Sequence, residues 1–197
     1  MFINLGKYDC ANGVINILAR KGDLLVRNAV IKDSSFIDKL QKENSYAVGF
    51  IQRTIWDKYV FGGERNFFVL LCEKNLDPVG YTLVTPGRKS GDFVIIQQIA
   101  VRNDARRLQY GSMLIDVLRD FCIKFERLGA KLRCRKDLES NMFWEALGFS
   151  NYFIWKKGRR NHVGFKASND ILHWQIKLNQ AIGTFEFYSG KYRERIT

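Results

Sequence analysis

The sequence predicts a mixed α/β protein whose sheet is covered by helices on both faces. Three observations carry this expectation. Short runs rich in β-branched and aromatic residues alternate with amphipathic segments of helical period. One such run, DFVIIQQIAV, leads through a short cationic loop straight into a strongly periodic helix. Finally, 46% of the 197 residues are hydrophobic and only two are proline, which suffices for one sizeable core.

Taken in order, the chain opens with an irregular arm to about Gly22, and LLVRNAVI (24–31) reads as the first strand. DSSFIDKLQKEN offers Asp33, Ser34 and Ser35 as candidate N-caps and continues at helical spacing through Phe36, Ile37 and Leu40. A second helix is expected over residues 48–59. NFFVLLCE (66–73), the turn NLDP and VGYTLVT (79–85) read as a hairpin, and a third strand covers 93–101 after the polar loop PGRKSGD. The long helix is expected over 111–128, with Leu114, Val117, Leu118, Phe121, Cys122 and Phe125 on one face and Gly129 as its stop. A short strand KLRCR, a helix in LESNMFWEALGF and a final strand NYFIWKK complete the pattern. No repeat, low-complexity tract or linker interrupts it. The expectation is therefore one domain over 1–197, with an arm at 1–23, a core at 24–157 and a C-terminal extension at 158–197.

The formal charge of +12 predicts attraction to polyanions: nucleic acid, acidic protein surfaces or a phosphate-rich cofactor. No apolar run approaches the roughly 20 residues of a membrane span, and the first residues lack signal-peptide features, so a cytoplasmic location is expected. Cys10, Cys72, Cys122 and Cys134 show neither CxxC spacing nor nearby histidine pairs; they read as small core residues, and no metal site is expected. His162 and His173 likewise stand without a partner at metal or triad spacing.

The stretch ARRLQYGSMLIDVLRDF (105–121) concentrates cations and a glycine where a strand becomes a helix. The first turn of a helix has backbone N–H groups without intrahelical partners and lies at the positive end of the macrodipole, so such a junction attracts phosphate. Arg106 and Arg107 add positive charge, and Gly111 removes a Cβ from the approach. The same residues also fit two surface cations and a turn glycine.

Element order and three local motifs resemble the GCN5-related N-acetyltransferase (GNAT) family over about residues 24–157. The motifs are the opening VRNAVIKDSSFIDKL, the junction QIAVRNDARRLQYGSMLIDVL with Arg106 leading and Gly111 closing, and FWEALGF. The resemblance implies a mixed, mostly antiparallel central sheet flanked by helices on both faces, with N- and C-terminal extensions, and it implies acetyl-CoA as cofactor. Carried over by position, Ile99, Ala100 and Val101 would lie along the pantetheine arm, and Arg106, Arg107, Leu108, Gln109, Tyr110, Gly111 and Ser112 would hold the pyrophosphate. Asp137 stands where the family often has an asparagine that touches the cofactor, and Phe143 and Trp144 would lie near its sulfur end.

Three departures bear on the chemistry. Gln109 replaces the first glycine of the junction, Trp144 occupies the place of a frequent general-acid tyrosine, and Ile95, Gln97 and Gln98 stand where many members have a glutamate base. Indole cannot donate a proton as a phenol does. Tyr110 and Tyr152 are the spare phenols. Glu64, Asp92 and Glu145 are candidate water-relayed bases, and the N–H near Val101 is a candidate donor to the thioester carbonyl. Lys156, Lys157, Arg159 and Arg160 form an acid-free cationic run that suits a nucleic-acid backbone or a solvated hairpin. The expected function is an acyl-CoA-dependent N-acetyltransferase acting on an anionic or macromolecular amine, with oligomeric state open. The alternative is a GNAT-fold protein with little turnover that binds nucleic acid or another anionic macromolecule.

Overall fold

The computed structural model describes residues 17–57, 68–85, 92–159 and 168–178. It shows the expected α/β protein, with an eight-stranded, mostly antiparallel sheet and helices. The chain groups into two compact units, residues 1–86 with 96–121 and residues 87–95 with 122–197.

In the first unit the strands β1 (Ile17–Lys21), β2 (Leu24–Asn28), β3 (Phe68–Lys74), β4 (Asp77–Thr85) and β5 (Phe93–Val101) neighbour one another in chain order. β1, which the sequence reading placed in an irregular arm, pairs antiparallel with β2. The β3–β4 connection is tighter than NLDP suggested: Asn75 and Leu76 alone make the turn, with φ of 50° and 68°, and Asp77 and Pro78 already belong to β4. Two successive left-handed residues give the turn the twist of its flanking strands.

Helix α1 (Ser34–Glu43) buries Ile37, Leu40 and Gln41. Ile37 and Leu40 pack with Ala29, Trp56, Val69, Leu71, Tyr81, Leu83 and Ala100. Each fully buried aliphatic side chain contributes about 1.5–3 kcal/mol. Beside this core lies a buried charge cluster. Arg27 on β2 donates to Asp33 at 2.7 and 2.9 Å and to Glu73 on β3 at 2.9 and 2.6 Å. Its guanidinium is held well above its ordinary pKa by those carboxylates, against the opposing effect of burial.

The expected helix over 48–59 is replaced by two short ones, α2 (Ser45–Val48) and α3 (Arg53–Ile55); residues 58 and 59 lie outside the described residues. The reason is local. Gly49 takes φ 75° and ends α2. Buried Gln41 then pairs with the peptide of Ile51, donating to its carbonyl at 2.8 Å and accepting from its N–H at 3.0 Å. Those two backbone groups are thereby withdrawn from any helix.

In the second unit the start of β5 neighbours β6 (Gly129–Arg135), followed by β8 (Ile171–Lys177) and β7 (Ser150–Trp155). The Leu128 N–H donates to Asp92 O at 3.2 Å, so β5 and β6 begin side by side and run in the same direction. β8 pairs antiparallel with both β6 and β7. It falls in the expected C-terminal extension, so NYFIWKK is not the final strand. Helix α4 (Tyr110–Lys124) also ends earlier than expected. Glu126, at φ 51°, makes the left-handed cap, with Arg127 N–H on Cys122 O at 2.7 Å and Glu126 N–H on Ile123 O at 3.3 Å. Gly129 instead opens β6 at φ 148°, where a Cβ would collide with the Ile176 carbonyl. Helix α5 (Ser140–Ala146) is confined to the centre of LESNMFWEALGF.

Candidate functional site

The strand-to-helix junction lies within the first unit. At the end of β5, Ala100 is buried and Ile99 and Val101 are half-buried. Gly80 on β4 lets the two strands press together: a Cβ there would stand 2.9 Å from Ala100 O and 3.1 Å from Val101 Cγ2. The Arg102 N–H donates to Val79 O at 2.8 Å, and its guanidinium bridges Asp77 at 2.7 Å and Asp104 at 2.9 Å. A short 3₁₀ turn (Asn103–Ala105) follows, pinned inward by buried Ala105.

Residues 106–109 then turn the chain into α4. Arg106 is extended (φ −68°, ψ 157°), while Arg107 and Gln109 adopt left-handed φ of 62° and 68° on either side of exposed Leu108. A non-glycine residue pays steric energy for such a φ, so the turn is held against an intrinsic cost at two positions. Tyr110, only 3% exposed, anchors the start of the helix. The first bond into it is Met113 N–H to Gln109 O at 3.0 Å, and among the described residues the N–H groups of Tyr110, Gly111 and Ser112 have no backbone acceptor. Gly111 is the second residue of α4 and does not have a positive φ, so it is not a turn glycine. Gln109 is the residue that occupies the left-handed position where the family motif has glycine.

The cations of the loop differ in setting. Arg106 donates through Nη2 to Asn44 Oδ1 at 2.6 Å and through Nε to Val101 O at 3.3 Å. Arg107 is exposed. Gln98, one of the three residues with Ile95 and Gln97 that stand where the resemblance expects a glutamate base, is 5% exposed. It accepts from the Tyr81 hydroxyl at 3.0 Å and donates to Val48 O at 3.1 Å. It therefore ties α2 to the sheet. Burial pushes the Tyr81 phenol pKa upward, which leaves it a donor.

The remaining candidates lie in the second unit. Asp137 is exposed and paired with Arg135, at 3.0 and 2.6 Å. Phe143 is half-buried, and Trp144, 3% exposed, stacks edge-on against Phe143 and Phe149 at centroid distances of 4.9 and 5.2 Å. Glu145 faces solvent on α5, and Tyr152 is half-buried, edge-on to His173 at 6.0 Å. Lys156 Nζ lies 3.9 Å from Asp170, the Lys157 N–H donates to the same carboxylate at 2.8 Å, and Arg159 is exposed. Cys10, Glu64, Arg160 and His162 lie outside the described residues. Burial pushes the Cys72 and Cys122 thiols up to about 12 and raises Cys134, so none is a thiolate near neutral pH. No helix among the described residues is long and apolar enough to cross a membrane.

The acetyltransferase (GNAT) family model matches residues 34–149, a span that includes the junction and α5. This chain belongs to that family. Similar solved structures include the ribosomal-protein-S18-alanine N-acetyltransferase from Escherichia coli, with 16% identity, TM-score 0.64, and 83% of this chain and 99% of that one covered. Another is the Salmonella typhimurium acetyltransferase that modifies the N-terminal serine of ribosomal protein L7/L12, with 12% identity, TM-score 0.68, and coverage of 83% and 100%. A third is the Salmonella typhimurium protein yncA with its cofactor acetyl-CoA, at 16% identity, TM-score 0.63, and coverage of 82% and 98%. At these identities the likeness is one of fold. No curated protein sequence matches the chain. Acetyl-CoA is the acyl donor of the GNAT family, and the residues of this chain fit it. The loop of the GNAT domain supplies backbone donors and two arginines, and Asp104, its nearest acid in sequence, is engaged by Arg102.

Proposed function

We propose that the protein transfers an acetyl group from acetyl-CoA to an amine on an anionic or macromolecular acceptor, most readily a protein N-terminus. The observation that supports this most directly is the run of N–H groups at Tyr110, Gly111 and Ser112 that have no backbone acceptor among the described residues, preceded by left-handed Arg107 and Gln109. In this reading residues 106–112 hold the pyrophosphate and Ile99, Ala100 and Val101 flank the pantetheine arm.

Acetyl-CoA supplies a thioester with a thiol leaving group. The chain has to bind it, exclude water and receive a neutral amine. Buried Gln98 takes no proton near neutral pH, which favours an acceptor that needs little help to deprotonate. An α-amino group, with a pKa of about 7.7–8.0, meets that condition, whereas a lysine at about 10.4 does not. Two structural neighbours are named for acetylating ribosomal proteins, one of them at an N-terminal serine. The charge of +12 adds attraction for acidic partners. Tyr110, committed to anchoring α4, is not assigned to proton traffic.

Coenzyme A should raise the unfolding midpoint, since ligand at a hundred times its Kd stabilises by about 2.7 kcal/mol. No shift at millimolar coenzyme A would overturn the proposal. With acetyl-CoA, mass spectrometry of peptide mixtures should find the acetyl group on α-amines; modification confined to lysine side chains would overturn the choice of acceptor.

A further inference from the structure

We infer that Asn44, at the C-terminal end of α1, is a positioning residue for the cofactor phosphates and acts through Arg106. The inference rests on the proposed acetyl-CoA site. Its starting point is which edge of the Arg106 guanidinium is occupied. Nε donates to Val101 O at 3.3 Å and Nη2 to Asn44 Oδ1 at 2.6 Å, so the side-on edge of the fork is taken by two neutral oxygens. Among the described residues Nη1 has no hydrogen-bond partner, and Arg106 is exposed. The end-on pair of N–H groups therefore points away from its anchors, oriented and unspent, on the residue that directly precedes 107–112 in the chain. Neutral anchors leave the full positive charge available, and a guanidinium held flat in advance loses less freedom when it receives a phosphate oxygen pair.

Asn44 is itself fixed. Its Nδ2 donates to Leu40 O at 2.8 Å and its N–H to the same carbonyl at 3.2 Å, so α1 holds the amide with Oδ1 outward. Its own carbonyl accepts from Ala47 and Val48 at 2.9 and 3.0 Å and starts α2. A residue that closes one helix and opens the next is a rigid point from which to orient an arginine 62 positions along the chain. A helix-capping role alone would need only Nδ2 and the backbone. The short contact from Oδ1 to a loop cation is the part that such a role does not explain.

The test is a double-mutant cycle on the full chain, read by titration calorimetry with coenzyme A and, separately, with pantetheine, which lacks the phosphates. Asn44→Ala should weaken coenzyme A about fivefold, the size of one oriented charge-assisted hydrogen bond at an exposed site, and leave pantetheine unchanged. In an Arg106→Ala background the same substitution should have no further effect. Asn44→Asp keeps the acceptor oxygen and loses the Nδ2 donor to Leu40. The added carboxylate also offsets the Arg106 charge, so Asn44→Asp should weaken coenzyme A at least as much as Asn44→Ala while leaving pantetheine unchanged. Asn44→Ala losing affinity equally for both ligands, or equally with and without Arg106, would overturn the inference, as would no loss at all. If the unaltered chain binds no coenzyme A, the proposed function falls and this inference with it; binding that is indifferent to Asn44 removes the inference alone.

Discussion

Two regions of this protein depart from their family's motifs, and they tolerate the departure for different physical reasons. In the junction of residues 102–112, Gln109 stands where glycine is usual, yet the groups proposed to hold a phosphate are peptide N–H groups, and their direction is set by φ and by the start of α4. At Trp144 on α5 the departure is in the side chain itself. A phenol would offer a proton; the indole instead completes an edge-on stack with Phe143 and Phe149 and is 3% exposed. Where the backbone offers the donors, a side-chain substitution costs strain and leaves the N–H groups in place. Where the side chain carries the chemistry, the substitution exchanges it for packing.

Four measurements would break or sharpen that contrast. Trp144→Ala should cost about 3–5 kcal/mol of stability, as large aromatic-to-alanine changes in packed interiors do, read as a fall in the denaturant midpoint. A loss below about 1 kcal/mol would mean that the stack is not a packing element. Gly111→Glu comes next: a carboxylate in the first turn of α4 repels the pyrophosphate, so coenzyme A affinity should drop at least tenfold, roughly 1.4 kcal/mol, with little change in stability because the helix dipole accepts the charge. A folded variant that binds like the parent would remove the phosphate assignment.

The third concerns pH. The folded-state pKa values of Cys72 and Cys122 are raised from 9.0 to about 12, so their contribution to stability is fully present below pH 9 and is lost as pH climbs from 9 toward 12. Unfolding midpoints should be flat up to pH 9 with respect to these thiols and fall beyond it. Rapid alkylation of the native protein at neutral pH would contradict their burial. The smallest effect is expected from Gln109→Gly. Relieving a left-handed φ of 68° should stabilise the fold by about 0.5–1 kcal/mol while coenzyme A binding persists. Loss of binding would show that the Gln109 side chain, and not only its backbone, faces the ligand.

Elements whose evidence is periodic and local were legible in the sequence. α1, β5, the β3–β4 hairpin and α4 all announce themselves through apolar spacing, turn residues or a run of β-branched side chains. The junction was legible too, because a glycine and two arginines at a strand-to-helix step carry their own electrostatics. Three features were decided only in three dimensions. β8 takes its place between β6 and β7 through antiparallel pairing with both, a choice that nothing within ILHWQIK specifies. The break between α2 and α3 follows from Gln41 capturing the Ile51 peptide, a contact between a buried amide and a loop ten residues on. The orientation of Arg106 by Asn44 joins residues 62 apart. In sequence, a glutamine inside an amphipathic helix and an asparagine at its end look like surface residues. Which backbone groups or cations they claim depends on which segments the core brings beside them.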